Sequence, residues 1–563
     1  MPTPQSLLCH RRASKNTKSN VLTTIRRHIT LSALILVAAA ASVILALKAL
    51  RSRRPPSPPG PNALPLLRNI LHFPPANLPL ACASWASKYG ELTQLTLFTR
   101  PLLILHTRRA AHALLTSNAR LSSARPALPI FGARTGWDRM TALLPHGPAW
   151  RTARRLSAPV LASRAGVVAC EPAMAVHIPR LVPRFLACPP GDGDRLRAQT
   201  IKTVVGTTLA ILYGVEIREE GDPIVQAVCV AMTHFSKHFF PGAVLADWLP
   251  HSLSRYLPDR LTGATNAGQW KAALDAVLDL PFERAKAAIA GGTAPPSFIS
   301  ACLAPQPGGG APKEEDTGTD APSPEEHEQT VKHAAASLLL GAVDSTLSLV
   351  ETLLALLAAH PSVQRTAQAE LDRVLSPPNS PAAPRRLPVL ADAAAAPYVR
   401  GLVLEVLRLG AALPLGMPHV LAQDTLYDGY LIKRGTTLMA DIRGMLRDPT
   451  AYADPDTCDP ARYAPSAKSP AGAPDPRDVV WGFGKRTCPG LYLGETCLTL
   501  ATLHVLAAFD VRPAAGGCEG VSAPAGEYTT GIVSHPVSLS VAMRPRSEDV
   551  LEAARDIAAR MPK

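Results

Sequence analysis

"WGFGKRTCPG", residues 481–490, sets one cysteine among three glycines and two adjacent cations. Glycines beside a lysine suggest a phosphate-binding loop, but the spacing excludes both common kinds. A dinucleotide fingerprint would put its third glycine at Thr487, and a Walker loop needs Ser or Thr where Arg486 stands. What remains is the sulfur. A free thiol has a pKa of about 8.5, and neighbouring cations and helix N-terminal amides favour its anion, the form that binds metals. Pro489 suits a first helical position, so Cys488 is expected where the helix "GLYLGETCLTLATLHVLAAF" begins.

The other cysteines give this one no partner. The ten lie scattered, with no CxxC pair and no Cys/His spacing of a zinc site, which also argues against a secreted disulfide framework. The net charge of +14 points to nucleic acid only until it is located. Residues 1–54 carry ten Lys or Arg and no acid, leaving 48 bases against 44 acids, so no nucleic-acid partner is expected.

Within that basic end, "ITLSALILVAAAASVILAL" (29–47) is an uncharged, mostly apolar run of 19 residues. At about 1.5 Å rise per residue it is long enough for a hydrocarbon core of about 30 Å. A signal peptide or an acid-poor mitochondrial presequence shares part of this composition. The run is too long for an ordinary signal core and shows no A-x-A site, so it reads as an uncleaved anchor. Six Lys or Arg precede it and four follow, so charge does not orient it. The chain then divides into a basic tail (1–28), a transmembrane anchor (29–47), a basic, proline-rich hinge (48–61) that includes "RRPPSPPGP", a catalytic domain (62–545) and a C-terminal tail (546–563). Proline-, glycine- and charge-rich breaks at 304–326, 376–386 and 464–478 read as disordered surface insertions. Residues 327–360 read as a very long helix, apolar nearly all round in its middle and therefore buried. Strand-like runs at 92–98 and 100–106 flank a turn, so the fold class is mainly α with a small β-sheet.

"WGFGKRTCPG" resembles the cytochrome P450 signature F-x-x-G-x-R-x-C-x-G, with Trp481 in place of Phe. Other landmarks follow the family order over roughly residues 55–545. Glu405-Val-Leu-Arg408 resembles the ExxR of helix K. Glu370–Arg373 and Glu552–Arg555 share that spacing, but only the first is followed by "PLGMPH" (414–419). "CDPARY" (458–463) resembles the P-E-R-F motif, and Trp150-Arg-Thr-Ala-Arg154 the WxxxR of helix C. "GAVDST" (341–346) resembles the oxygen-binding helix, with Ala342 and Ser345 in place of Gly and Thr. "PPGPNALPLLRN" (58–69) resembles the proline-rich hinge, with Arg68 in place of Gly. "GWDRM" (136–140), "PLGMPH" and "TTGIVSHP" look most like fungal microsomal P450s of the O-methylsterigmatocystin oxidoreductase-like kind.

The resemblance implies a P450 fold preceded by a transmembrane helix, and a haem b whose iron takes Cys488 as axial ligand. It implies Arg486, Trp150, Arg154, His419 and Arg125 at the haem propionates, Trp481 shielding the sulfur, and Gly484 and Gly490 letting backbone approach the macrocycle. Glu405, Arg408 and Arg462 would form a structural network. Asp344, Ser345 and Thr346 would deliver protons, beside a local break in the helix ladder that makes room for O₂. Thr530–Val533 would line the substrate pocket. The implied reaction is monooxygenation of a hydrophobic small molecule. Its electrons would come from NADPH through cytochrome P450 reductase, with cytochrome b5 as a further partner. The implied place is the endoplasmic reticulum membrane, in contact with lipid and with the catalytic domain in the cytosol; a mitochondrial location is the alternative. A haem-thiolate isomerase or peroxide-using enzyme, and a haem protein that only binds or senses, are the competing classes.

Overall fold

In the computed structural model, the described residues are 55–562 except 66–67, 75, 240–243, 245–246, 250–255, 257, 305–322, 377–385, 465–471 and 515–527, together with Ala39 and Ser42. The expected anchor and basic tail therefore lie outside the described residues, apart from those two exposed helical positions. The chain divides into two units. In the first, β4 (Thr425–Tyr427) and β5 (Tyr430–Ile432) form a hairpin whose turn residues, Asp428 and Gly429, both have positive φ, as a tight two-residue turn requires. The Leu431 amide donates to the Pro56 carbonyl of the same unit.

The second unit, Pro59–Gln423 with Lys433–Lys563, holds the core. Its longer helices are α1 (Leu78–Tyr89), α2 (Pro148–Leu161), α3 (Gly193–Tyr213), α4 (Pro223–His238), α5 (Ala267–Ala290), α6 (Pro324–Ala359), α7 (Pro361–Leu375), α8 (Pro397–Gly410), α9 (Leu491–Ala508) and α10 (Glu548–Ala559). Proline stands at the start of several of them, where its missing N–H leaves no bond unmade. In one sheet the strand order is β1 (Leu92–Leu97), β2 (Arg100–Leu105), β6 (Thr437–Ala440), β3 (His419–Val420). β2 and β6 run parallel, with Leu103 opposite Leu438, and the other pairs are antiparallel. β7 (Phe509–Pro513) and β8 (Val541–Pro545) make a separate ribbon.

α6 runs through the middle of the helical layer, against α3, α8 and α9. It starts on a capping box of Ser323 and Glu326, and Leu347–Ala358 is buried throughout. α6 and α9 are long and apolar enough to cross a membrane, yet most of each apolar window is buried inside the protein. The core supplies the surroundings that a bilayer would.

The structure corrects several expectations. The expected tail contains α10, which packs on the helix Leu181–Leu186, and Arg546 clamps the Asp372 carboxylate at 2.7 and 3.0 Å. The inner ends of two supposed insertions are folded. Ser323 and Glu326 cap α6, and Arg477 bridges Asp475 and Glu495 at 2.6 and 2.8 Å. The Glu370-to-Arg373 spacing has a different purpose from that of Glu405 and Arg408: the Glu370 carboxylate accepts the first amides of α8, from Tyr398 and Val399.

Candidate functional site

α9 begins at Leu491, two residues later than expected, because Gly490 caps it. Cys488 therefore lies on the turn before the helix, where its amide donates to the Trp481 carbonyl at 2.7 Å. That bond closes residues 481–488 into a loop and aims the cysteine at a cavity of about 340 Å³. Burial pushes the Cys488 thiol up; the Gly490 amide and Arg154 pull it down without cancelling the effect. The Gly490 amide and Arg154 thus favour the anion, but burial outweighs them. The thiolate needs a cation at the sulfur itself.

Sheet register brings the basic residues to the same cavity. Val420 of β3 donates to the Ala124 carbonyl, which places Arg125 beside His419. Arg125 donates to the carbonyls of Ala142 at 2.8 Å and Pro418 at 2.6 Å. Arg486 donates to the carbonyls of Ser123 at 2.9 Å and Leu144 at 2.6 Å. Trp150 and Arg154 share one face of α2 at i, i+4 spacing. The Trp150 ring lies 4.8 Å from the Arg486 guanidinium and 5.8 Å from that of Arg154. Burial and then Arg486 push Arg125 down to about 9, and burial and then Arg154 push Arg486 down to about 10. Among the described residues none of these three arginines meets a carboxylate. His419 is pushed down to about 3, by burial first and then by Arg125 and Arg486. Its Nδ1 lies 2.8 Å from the Ser122 carbonyl, so the neutral ring donates there and leaves Nε2 without a proton.

This chemistry fits haem. The Cys488 thiol faces a cavity whose basic edge, among the described residues, lacks counter-charge, and an iron porphyrin brings both the metal cation for sulfur and two carboxylates for the arginines. Among the described residues no three His, Cys, Asp or Glu side chains gather to hold a metal by themselves, so the remaining ligands would have to come from such a macrocycle.

The family model for cytochrome P450 matches residues 58–542. The chain belongs to the cytochrome P450 family. It is 34% identical over 500 residues to cytochrome P450 monooxygenase 208 of Postia placenta, covering 88% of this chain and 92% of that one. It is 29% identical over 532 residues to cytochrome P450 monooxygenase CLM2 of Gibberella zeae, covering 93% and 96%. It is also 29% identical over 513 residues to the O-methylsterigmatocystin oxidoreductase of Aspergillus flavus, covering 90% and 91%. The protein is thus a P450 monooxygenase, using haem iron and O₂, a redox partner's electrons and a hydrophobic substrate.

Within this P450, Trp481, Gly490, Asp344, Ser345 and Thr346 also line the cavity. The Trp481 ring sits against Gly494, where a Cβ would come within 3.4 Å. Gly484 does not line the cavity, which corrects its expected role. A Cβ there would meet the Leu115 carbonyl at 2.2 Å, and φ is +56°, so glycine lets the 484–486 turn lie on the helical turn His112–Ser117. Of Thr530–Val533 only Val533 reaches the cavity, and the Thr530 hydroxyl instead bonds the Asn77 side chain.

The expected break in α6 is absent: the helix is continuous, and the Ser345 hydroxyl donates to the Gly341 carbonyl at 2.9 Å. Asp344 Oδ1 lies 3.2 Å from His535 Nε2, while His535 Nδ1 lies 2.9 Å from Glu351 Oε2. Glu351, fully buried, takes Arg197 Nε at 2.5 Å on its other oxygen. The sequence reading missed His535, Glu351 and Arg197. Its only hint was the quoted "SHP", whose partners lie on α3 and α6.

Below the cavity, Arg408 uses all five N–H groups. Two go to Glu405, at 2.7 and 2.8 Å, and three to the carbonyls of Leu446, Pro455 and Thr457. Arg462 Nε lies 3.2 Å from Glu405, an ion-pair distance without hydrogen-bond alignment. Tyr463, which departs from the family's Phe, donates to Glu405 at 2.7 Å.

Proposed function

We propose that Cys488 is the axial ligand of a haem b whose propionates meet Arg125, Arg154, Arg486 and His419, with Trp150 stacked beneath two of the guanidiniums. The observation that carries this reading is a half-buried thiol sharing a cavity with three arginines that, among the described residues, have no carboxylate partner. Bound there, the group would supply oxygen activation. The chain's residues would orient it, exclude water and move protons. A carboxylate at His419 Nε2 would require a second proton on that ring, so anion binding there takes up a proton.

On the substrate side, Trp137, Met232, Phe235 and Val533 make an apolar wall. α3 adds a row of threonines, but the hydroxyls of Thr200, Thr207 and Thr208 donate to carbonyls four residues back. The row therefore offers few free donors, which supports a hydrophobic small molecule as substrate, in secondary metabolism or xenobiotic oxidation. Asp344, Ser345 and Thr346 would pass protons into the cavity. NADPH-cytochrome P450 reductase, with cytochrome b5 as an accessory, would supply electrons, since the sequence carries no nicotinamide fingerprint of its own. Residues 29–47 would anchor the protein in the endoplasmic reticulum membrane with the catalytic domain in the cytosol.

The reduced protein with carbon monoxide should show a thiolate-type spectrum, and Cys488→Ala should abolish it. A spectrum that persists in the variant would assign the iron to another residue. NADPH-dependent O₂ consumption with reductase separates monooxygenation from peroxide-driven turnover and from mere binding.

A further inference from the structure

Asp344 lines the cavity, yet among the described residues its Oδ2 is buried without a hydrogen-bond partner, while its Oδ1 is held by His535. His535 faces a carboxylate at each ring nitrogen, Asp344 at 3.2 Å and Glu351 at 2.9 Å. A neutral imidazole has one N–H and would turn a lone pair toward one of the two carboxylates. Only the imidazolium satisfies both. The turn that carries His535 is fixed on every side. Its amide donates to the Thr529 hydroxyl at 3.0 Å, Ser348 of α6 donates to the Ser534 carbonyl at 2.5 Å, and Arg197 donates to the Pro536 carbonyl at 3.3 Å.

The four charges cancel: Asp344 and Glu351 against His535 and Arg197. Moving one proton from His535 to Asp344 leaves a neutral acid, a neutral ring and the Glu351–Arg197 pair, so the transfer creates no net buried charge. The outer end of the chain reaches water. His535 is 13% exposed and Arg197 34%, whereas Glu351 is sealed.

We propose that His535 is a positioning residue that keeps Asp344 supplied with protons, with Glu351 and Arg197 holding it as the imidazolium. The step breaks the His535 Nε2–H bond, whose electron pair stays on nitrogen. It forms an O–H bond from a lone pair of Asp344 Oδ1. Asp344 then hands that proton into the cavity, and solvent re-protonates His535 at its exposed edge. This rests on the reading of Asp344 as the cavity's proton donor.

Burial lowers the His535 pKa, but the hydrogen bonds and charges of Asp344 and Glu351 outweigh it and bring the ring to about 9. Among the described residues the further titratable groups facing this cluster are Asp194 on α3 and Cys229 on α4, whose thiol burial and Asp344 push up. At neutral pH the ring is therefore loaded, and it empties as the pH rises through 9.

The experiment has two readouts on the haem-loaded protein. In a ¹³C-imidazole NMR titration of its ferrous carbon monoxide form, one of the 16 histidines should titrate near pH 9. That signal should fall toward the ordinary range in Glu351→Gln. If no imidazole titrates above about pH 8, well beyond the ordinary value, the proposal is overturned without any variant having to fold.

For the second readout, His535→Gln should keep the carbon monoxide spectrum but release several-fold more hydrogen peroxide per NADPH. It should lose the alkaline fall in coupling seen in the parent, and His535→Lys should recover part of that coupling. Unchanged coupling and pH profile in His535→Gln would overturn the proposal. Absence of any NADPH-dependent O₂ consumption by the parent would instead overturn the monooxygenase reading beneath it.

Discussion

Gly484 shows how a glycine of the signature can have a steric purpose within the fold itself. The signature marks it as a glycine, and the natural inference is that backbone must approach a flat ligand. The structure instead puts the Leu115 carbonyl where a side chain would begin, in a left-handed conformation that L-residues avoid. Gly484→Ala should therefore destabilise the protein by roughly 2 kcal/mol or more, through clash and strain together. Chemical denaturation would measure this. Haem retention should fall as well, because Arg486 takes its position from the same turn. Cys488 itself was legible because a lone sulfur beside glycines and cations has few uses. Its protonation was not legible, since burial depends on the whole fold.

Among the elements, α6 was the easiest to foresee and the least faithfully foreseen in detail. Its apolar middle and buried position follow from sequence periodicity, whereas its start does not: Ser323 and Glu326, read as part of a disordered insertion, form its capping box. The break at 341–346 does not occur, because the Ser345 hydroxyl accommodates the Gly341 carbonyl within an unbroken helix. The segment after α3 is held by charge. The Glu216 carboxylate takes His177 at 3.2 Å and Arg180 at 2.9 Å. Burial raises its pKa, but these hydrogen bonds win and hold it at about 2, below the ordinary 4.5. A depressed carboxylate pKa adds stability that is fully present above pH 4.5 and lost as the pH falls toward 2. Glu216→Gln should therefore lower the thermal midpoint at neutral pH and flatten its decline in acid. An equal acid decline in both proteins would remove Glu216 from that linkage.

At the scale of the whole molecule, the buried Glu405–Arg408 pair ties α8 to the loop 446–463 beneath the cavity. Gly401 makes the approach possible, since a Cβ there would lie 2.2 Å from the Pro460 carbonyl. Glu405→Ala would leave Arg408 buried and uncompensated, at about 3–5 kcal/mol, and should yield little folded protein. Tyr463→Phe removes one hydrogen bond, at about 1–2 kcal/mol, and should fold. Soluble yield and denaturation midpoints check both. What the sequence determined by itself is local chemistry and order: the cysteine loop, the long apolar helix, the Glu405–Arg408 spacing and the arginines due at one site. Only the tertiary structure decided which distant groups share a proton or a carbonyl. His535 meets Glu351 across 184 residues, and Arg125 meets Pro418 across 293. Periodicity and spacing report neighbours within a turn or a strand, whereas these pairs exist only because the packing against α6 and the Ala124–Val420 bridge bring remote backbone together.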